Sequence, residues 1–206
     1  MVKADTLPEG LDFHPGFLDR SAQEKLLAEI RAIVAEAPLY TPQMPKTGKP
    51  LSVKMTNCGP LGWLTDKERG YRYQETHPVT GKPWPAIPSS LLALWDKVSG
   101  TDLPPQACLI NYYAPDARMG LHQDRDETDL KAPVVSVSLG DSCLFRIGGL
   151  ERKAPTRSFR LESGDVLVLG GESRLIFHGV DRIYPGTSTL LKAEGRINLT
   201  LRRVNP

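Results

Sequence analysis

Apolar positions follow a helical period in one N-terminal stretch and then give way to short runs and alternation. Leu26, Leu27, Ile30, Ile33, Val34 and Ala37 fall on one stripe, which predicts a helix over residues 22–37. Ser21 and Glu24 stand at capping-box spacing, and Pro38 stops the helix. A second helix is predicted over residues 89–98, ended by Gly100. Between them, residues 40–88 are rich in Pro and Gly and poorly periodic, compatible with short strands or hairpins. From about residue 101 the chain reads as short strands between turn signals, over 107–113, 134–139, 142–147, 158–161, 165–169, 175–178 and 196–204. Strands this numerous and closely spaced predict a jelly roll, two facing antiparallel sheets that can enclose a site. The expected fold class is mixed α/β and mainly β. An N-terminal helical and loop-rich portion (1–100) would precede a jelly-roll core (101–206), the two forming one compact unit.

Composition changes this picture little. The chain has 206 residues, enough for one domain with a proper core, and its 18 glycines and 18 prolines favour strands and turns over a helical bundle. No apolar run approaches the roughly 20 residues that span a bilayer, and residues 1–10 mix charges with proline where a signal peptide needs an apolar stretch. Membrane association is not expected, and a cytoplasmic protein is. Cys58, Cys108 and Cys143 are odd in number and widely spaced, which suggests neither a disulfide framework nor a zinc knuckle.

A net charge of +2 argues against strong nonspecific nucleic-acid binding by the whole surface. The charge is unevenly spread, however. Residues 40–85 carry Lys46, Lys49, Lys54, Lys67, Arg69, Arg72 and Lys82 against Asp66, Glu68 and Glu75. Tyr40, Trp63, Tyr71, Tyr73 and Trp84 lie among them. Cations for phosphates interleaved with aromatic faces suit a single-strand surface, although a solvated loop region can have the same composition.

Candidate chemistry centres on His122-Gln-Asp124 and His178. Residues at i and i+2 of an extended segment point to one side, so His122 and Asp124 can share an ion while Gln123 faces away. With His178 returning from a distant strand, two imidazoles and a carboxylate could hold one face of iron(II) and leave the other open. A lone histidine is more often structural, and the last strand is what changes the balance. Ile197, Leu199 and Leu201 alternate with Arg196, Asn198, Thr200 and Arg202. The two arginines stand about 20 Å apart along a strand, so only side chains leaning inward could grip a small diacid from both ends. Asn111 and Tyr113, again at i and i+2, could add hydrogen bonds from a neighbouring strand.

These motifs together resemble the bacterial AlkB alkylation-repair dioxygenases. The likeness rests on Asn111-Tyr-Tyr113, His122-Gln-Asp124-Arg-Asp126-Glu127, Gly170-Gly-Glu-Ser-Arg174, His178-Gly179 and the Arg196–Arg202 strand. Leu61-Gly-Trp63 and Lys82-Pro-Trp-Pro-Ala86 extend it, so that it covers roughly residues 10–204. The resemblance implies a double-stranded β-helix core with N-terminal helices and a nucleotide-recognition lid. It implies iron(II) on His122, Asp124 and His178, with 2-oxoglutarate and dioxygen as cosubstrates. Arg202 would take the distal carboxylate of 2-oxoglutarate, and Arg196, Asn198, Asn111 and Tyr113 would hold the rest. A flipped base would lie between Trp63 and His122, with Tyr71 and Tyr73 in the lid and Asp126 near the exocyclic amino group. Arg174 would either brace the site or form a structural ion pair.

The implied reaction is oxidative demethylation of 1-methyladenine- and 3-methylcytosine-type bases, releasing formaldehyde and succinate. Its substrate would be mainly single-stranded DNA, with double-stranded DNA or RNA also open, and its agent a monomer. The sequence departs from the family where a substrate-side arginine is expected: by count that position is Ser158, flanked by Arg157 and Arg160. The lid also has one extra residue between Trp63 and Tyr71, and His14 and His77 read as surface residues. Two rivals stay open on the residues alone. One is a same-fold oxygenase acting on a protein, nucleotide or metabolite; the other is a non-catalytic binder of modified nucleic acid.

Overall fold

A computed structural model describes residues 7–206. In chain order its elements are β1 (Leu11–His14), α1 (Arg20–Glu36), β2 (Val53–Cys58), β3 (Gly62–Asp66), β4 (Gly70–Gln74), α2 (Ser89–Val98), β5 (Ala107–Tyr113), β6 (Met119–His122), β7 (Val134–Gly140), β8 (Ser142–Ile147), β9 (Arg157–Leu161), β10 (Val166–Leu169), β11 (His178–Tyr184) and β12 (Arg196–Arg202). α1 begins two residues earlier than its apolar stripe indicates. Its cap is Asp19, not Ser21: the Asp19 carboxylate accepts the Ala22 N–H at 2.8 Å.

The strands form a six-stranded sheet in the order β1-β10-β7-β12-β5-β2, a four-stranded sheet in the order β6-β11-β8-β9, and the separate hairpin β3-β4. Every pairing is antiparallel. This is the expected jelly roll. Strands β1 and β2 come from the first hundred residues and complete the larger sheet, so both portions of the chain build it.

Alternation along β12 and β7 sets the layers. Leu199, Leu201, Val135, Val137 and Leu139 point outward and are buried under Leu26, Leu27 and Ile30 of α1 and Leu91 and Trp95 of α2. The opposite positions face the space between the sheets, where Leu109, Leu167, Phe145, Ile147 and Val180 form a second apolar cluster. The polar residues of β12 therefore face the protein's interior, not solvent. No helix among the described residues is long and apolar enough to cross a membrane.

Two expectations fail here for local reasons. Residues 175–177 are not a strand; the strand starts at His178 and runs on to Tyr184. A register shift between Val180 and Arg182 breaks its alternation, which hides it from a period-two reading. His77 is not a surface residue either, being 1 % exposed. Its Nδ1 accepts the N–H groups of Val79 and Thr80, and its Nε2 lies 2.8 Å from the Pro38 carbonyl. The ring is a buried peg that holds the turn before Trp84.

Candidate active site

The antiparallel pairing of β6 with β11 makes His122 and His178 direct partners, with ring centroids 4.5 Å apart. Asp124 follows two residues later, and one ligand atom from each of the three lies within 4.8 Å of the others. Asp124 Oδ1 is 3.7 Å from His122 Nε2, and Oδ2 is 3.6 Å from His178 Nε2. Gln123 faces away, as the i, i+2 reading requires, and donates to the Leu175 carbonyl at 2.6 Å.

The chemistry of these donors fits a divalent ion. His122 Nδ1 lies 2.9 Å from the Gly120 carbonyl and His178 Nδ1 lies 3.1 Å from the Ile176 carbonyl. A carbonyl only accepts, so each Nδ1 carries the proton and each Nε2 keeps its lone pair for a metal. Burial and the neighbouring His178 push the His122 pKa down to about 4. The ring lies in a deep cleft: protein encloses it, while 40 % of its side chain stays open to solvent. Burial alone would raise the Asp124 carboxyl, but Arg202 and the two histidines outweigh it and hold that group well below the usual carboxylate range.

Next to the triad is a polar cradle whose chemistry fits a diacid. Arg196, Asn198 and Arg202 share the inner face of β12, and register places Tyr113 opposite Arg196 and Asn111 opposite Asn198. Arg196 is 1 % exposed and donates through Nη2 to Ser138 at 2.8 Å. Its Nε and Nη1, and the Nε of Arg202, are buried without a partner among the described residues. Buried donors are rarely left unpaired, and two guanidinium groups with free donors facing one cavity fit a dicarboxylate.

The two arginines are placed differently from what the resemblance implied. Arg202 Nη2 lies 2.8 Å from Asp124 Oδ1, so this guanidinium stands at the metal end of the cradle. Arg196, six residues away along the strand beside Tyr113 and Ser138, stands at the far end. Register and side-chain direction, which spacing alone does not reveal, exchange the two positions.

The β3–β4 hairpin roofs the cavity. Trp63 stacks on Tyr71, with centroids 5.7 Å apart and planes 24° apart, and its Nε1 donates to Asp126 Oδ2 at 2.7 Å. Trp63, Tyr71, Asp126 and His122 all line one cavity of about 420 Å³ with the triad and the clamp. Tyr71 is 58 % exposed. Tyr73 differs: its hydroxyl turns inward, donating to Glu127 and accepting from Arg202 Nη1 at 3.2 Å.

Two further residues emerge. Arg174 is buried and acts both as brace and as ion-pair partner, reaching the Ala132 carbonyl at 2.8 Å, the Asp124 carbonyl at 2.6 Å and Glu127 at 3.1 Å. Arg152, and neither Arg157 nor Arg160 beside Ser158, is the arginine of this stretch that lines the cavity. It lies on the β8–β9 loop, over the Phe177 ring at 5.2 Å. Arg160 is engaged elsewhere, with Ser142 at 2.9 Å and over Tyr184 at 4.5 Å. Arg157 borders a separate surface groove. A loop position has no periodicity to mark it, and only the neighbouring Gly148-Gly149 signalled that the chain turns back there.

Residues 10–202 match the family model of the 2OG-Fe(II) oxygenase superfamily. The chain is 54 % identical over 203 residues to the alpha-ketoglutarate-dependent dioxygenase AlkB homolog of Caulobacter vibrioides, covering 98 % of this chain and 91 % of that one. It is 45 % identical over 187 residues to alpha-ketoglutarate-dependent dioxygenase AlkB of Escherichia coli, covering 89 % and 85 %. Among solved structures, that described as "The structure of OsALKBH1" superposes with a TM-score of 0.81 at 34 % identity, over 96 % of this chain and 98 % of that one. The triad, the diacid cradle and these likenesses agree: the chain belongs to the AlkB family of iron(II)- and 2-oxoglutarate-dependent dioxygenases.

Proposed function

We propose that this dioxygenase removes N-linked methyl groups from the Watson–Crick edge of adenine and cytosine, chiefly in single-stranded DNA. The observation that carries this reading is the Trp63–Tyr71 stack on the same cavity as the triad. An oxygenase for a metabolite or a protein side chain has no need of an aromatic plate there; a base has a face that stacks on one.

His122, Asp124 and His178 hold the iron. When bound, iron, 2-oxoglutarate and dioxygen supply the oxidising power, and the cosubstrate leaves as succinate and carbon dioxide. Arg202 holds the carboxylate nearer the metal and Arg196 the farther one, with Asn198, Asn111 and Tyr113 lining the length between them. The extruded base slides between Trp63 and the His122 ring. Asp126, held by the Trp63 N–H, stands ready for its exocyclic amino group or its positive charge. One oxygen atom enters the methyl C–H bond, and the resulting N-hydroxymethyl group splits into formaldehyde and the N–H of the restored base.

Such a methyl group blocks pairing, so the damaged base costs less to extrude, and a single strand removes the cost of opening a duplex. Arg118, Arg125, Arg152 and Lys153 are exposed cations on the loops around the cavity, suited to the phosphates beside the flipped base. All the proposed groups come from one chain, in keeping with a monomer acting on cytoplasmic DNA.

Succinate formation tests the reading. It should rise several-fold with a single-stranded oligonucleotide carrying one 3-methylcytosine, with one formaldehyde per succinate. Equal succinate with the methylated and unmethylated oligonucleotides would overturn it.

A further inference from the structure

The β3–β4 hairpin that carries Trp63 forms a sheet of its own, and among the described residues no ladder joins it to either large sheet. Leu61 and Thr65 are tied to Gln106 and Gln43 by backbone hydrogen bonds. At residue 63 itself the link is a side chain. Asn57, on β2, accepts the Trp63 N–H on Oδ1 at 3.0 Å and donates from Nδ2 to the Trp63 carbonyl at 3.1 Å. The Tyr40 hydroxyl reaches the same carbonyl at 3.4 Å. Trp63 stands opposite Tyr73 in the hairpin, yet both its backbone groups are taken by Asn57, as at a non-hydrogen-bonded pair. The amide side chain thus stands in for the neighbouring strand that the hairpin lacks.

Asn57 is fully buried and in register with Leu109 on β5, so it is placed as firmly as the six-stranded sheet itself. The inward positions of β2 are Val53, Met55 and Asn57; the first two are apolar and packed between the sheets, and the third is polar. A buried amide is costly unless its donor and acceptor are both paired, and here both pair with one residue. Neither the metal nor the diacid explains it, because Asn57 is not on the cavity wall. Trp63 is on that wall. The opposite wall of the base slot is His122, held by the β6–β11 ladder of the other sheet. The two faces that would enclose a base are therefore fixed separately, one by each sheet.

We propose that Asn57 is a positioning residue for the base: by clipping the Trp63 backbone to β2, it sets the indole over His122 before nucleic acid arrives. The inference rests on the assignment of Trp63 as the stacking plate made under Proposed function. An aromatic plate already in place loses less freedom when a base stacks on it, so more of the stacking energy appears as affinity. Trp84 braces the same edge of the hairpin. Its ring fills the space that a Cβ on Gly62 would need, and its Nε1 donates to the carbonyl of Gln74, the partner of Gly62, at 2.9 Å. Without the clip, the two backbone groups of Trp63 turn to water and the indole loses its fixed distance from His122. Binding of the base weakens, while the metal and diacid groups, which stand on other strands, are untouched.

Equilibrium binding tests this. In the full chain with manganese(II) and the unreactive diacid N-oxalylglycine, calorimetry measures the affinity for a short single-stranded oligonucleotide carrying one 3-methylcytosine. Asn57→Ala should weaken that affinity about ten-fold, the scale of one lost hydrogen bond, and bind N-oxalylglycine within about two-fold of wild type. Added to Trp63→Ala, it should cost no more than about two-fold further, because it acts only through residue 63. Asn57→Asp keeps the shape and puts an acceptor where the donor was. It should weaken oligonucleotide binding in the same way, and it decides the matter by the same two comparisons if Asn57→Ala does not fold. Wild-type oligonucleotide affinity in the Asn57 variants would overturn the proposal, as would equal losses with and without the Trp63 side chain. A Trp63→Ala variant that binds the oligonucleotide as tightly as wild type would instead overturn the stacking assignment beneath it.

Discussion

His178 stands opposite His122 in the β6–β11 ladder, so the two imidazoles of the metal triad are set by strand pairing and not by loop conformation. The pairing is close because residue 179 is glycine. A Cβ there would meet the Met119 carbonyl oxygen at 2.6 Å and Gly120 backbone atoms at 3.0 Å.

Gly179→Ala should therefore push β6 away from β11. The expected cost is about 1–3 kcal/mol of stability, read by urea denaturation. A metal titration should show weaker manganese(II) binding, because His122 moves relative to His178. Unchanged metal affinity would mean that the triad tolerates a wider ladder.

Protonation of His122 gives a second prediction. The folded ring takes up its proton only near pH 4, whereas the ordinary value is 6.5. Between those values the unfolded chain binds more protons than the folded one, so this residue makes stability rise with pH across that window. NMR of the metal-free protein should find one imidazole still neutral at pH 5. A His122 midpoint near 6.5 would contradict the enclosed, neutral ring.

The exchanged arginines can be told apart with a shortened cosubstrate. Competition binding with manganese(II) would compare 2-oxoglutarate with 2-oxobutyrate, which lacks the far carboxylate. Arg196→Ala should weaken 2-oxoglutarate by roughly 100-fold or more, the scale of a lost buried charge pair, and leave 2-oxobutyrate nearly unaffected. Arg202→Ala should weaken both. The reverse pattern would return Arg202 to the far end.

Arg152→Ala should raise the KM for a methylated oligonucleotide by roughly ten-fold, the scale of one charge-assisted hydrogen bond, with little change for 2-oxoglutarate. Ser158→Ala should leave both unchanged. An effect confined to Ser158 would restore the position reached by counting.

The contrast between Arg152 and Arg196 shows which parts of the site the sequence makes legible. Arg196, Asn198 and Arg202 stand out because their alternation with Ile197, Leu199 and Leu201 follows the strand period, and burial enforces it. His122 and Asp124 stand out instead by residue type, two metal-ligating side chains at i and i+2. Arg152 has no period to reveal it. Glu127 has none either: its partners Tyr73, Arg174 and Arg202 come from three distant segments, and no local spacing foretells their meeting. Strands β1 and β6 escape because each has only four residues, and β6 has a glycine among them. The helix cap moved by two residues because Asp19 and Ser21 are both good cap residues, and only the Ala22 hydrogen bond distinguishes them.

The most direct test of the central claim uses protein reconstituted anaerobically with iron(II), then given air, 2-oxoglutarate and a single-stranded oligonucleotide bearing one 1-methyladenine. Intact mass reports the oligonucleotide, with His122→Ala alongside. Loss of one methylene unit in the wild type and none in His122→Ala is the predicted result. An unaltered oligonucleotide despite brisk succinate formation would contradict the base-repair assignment.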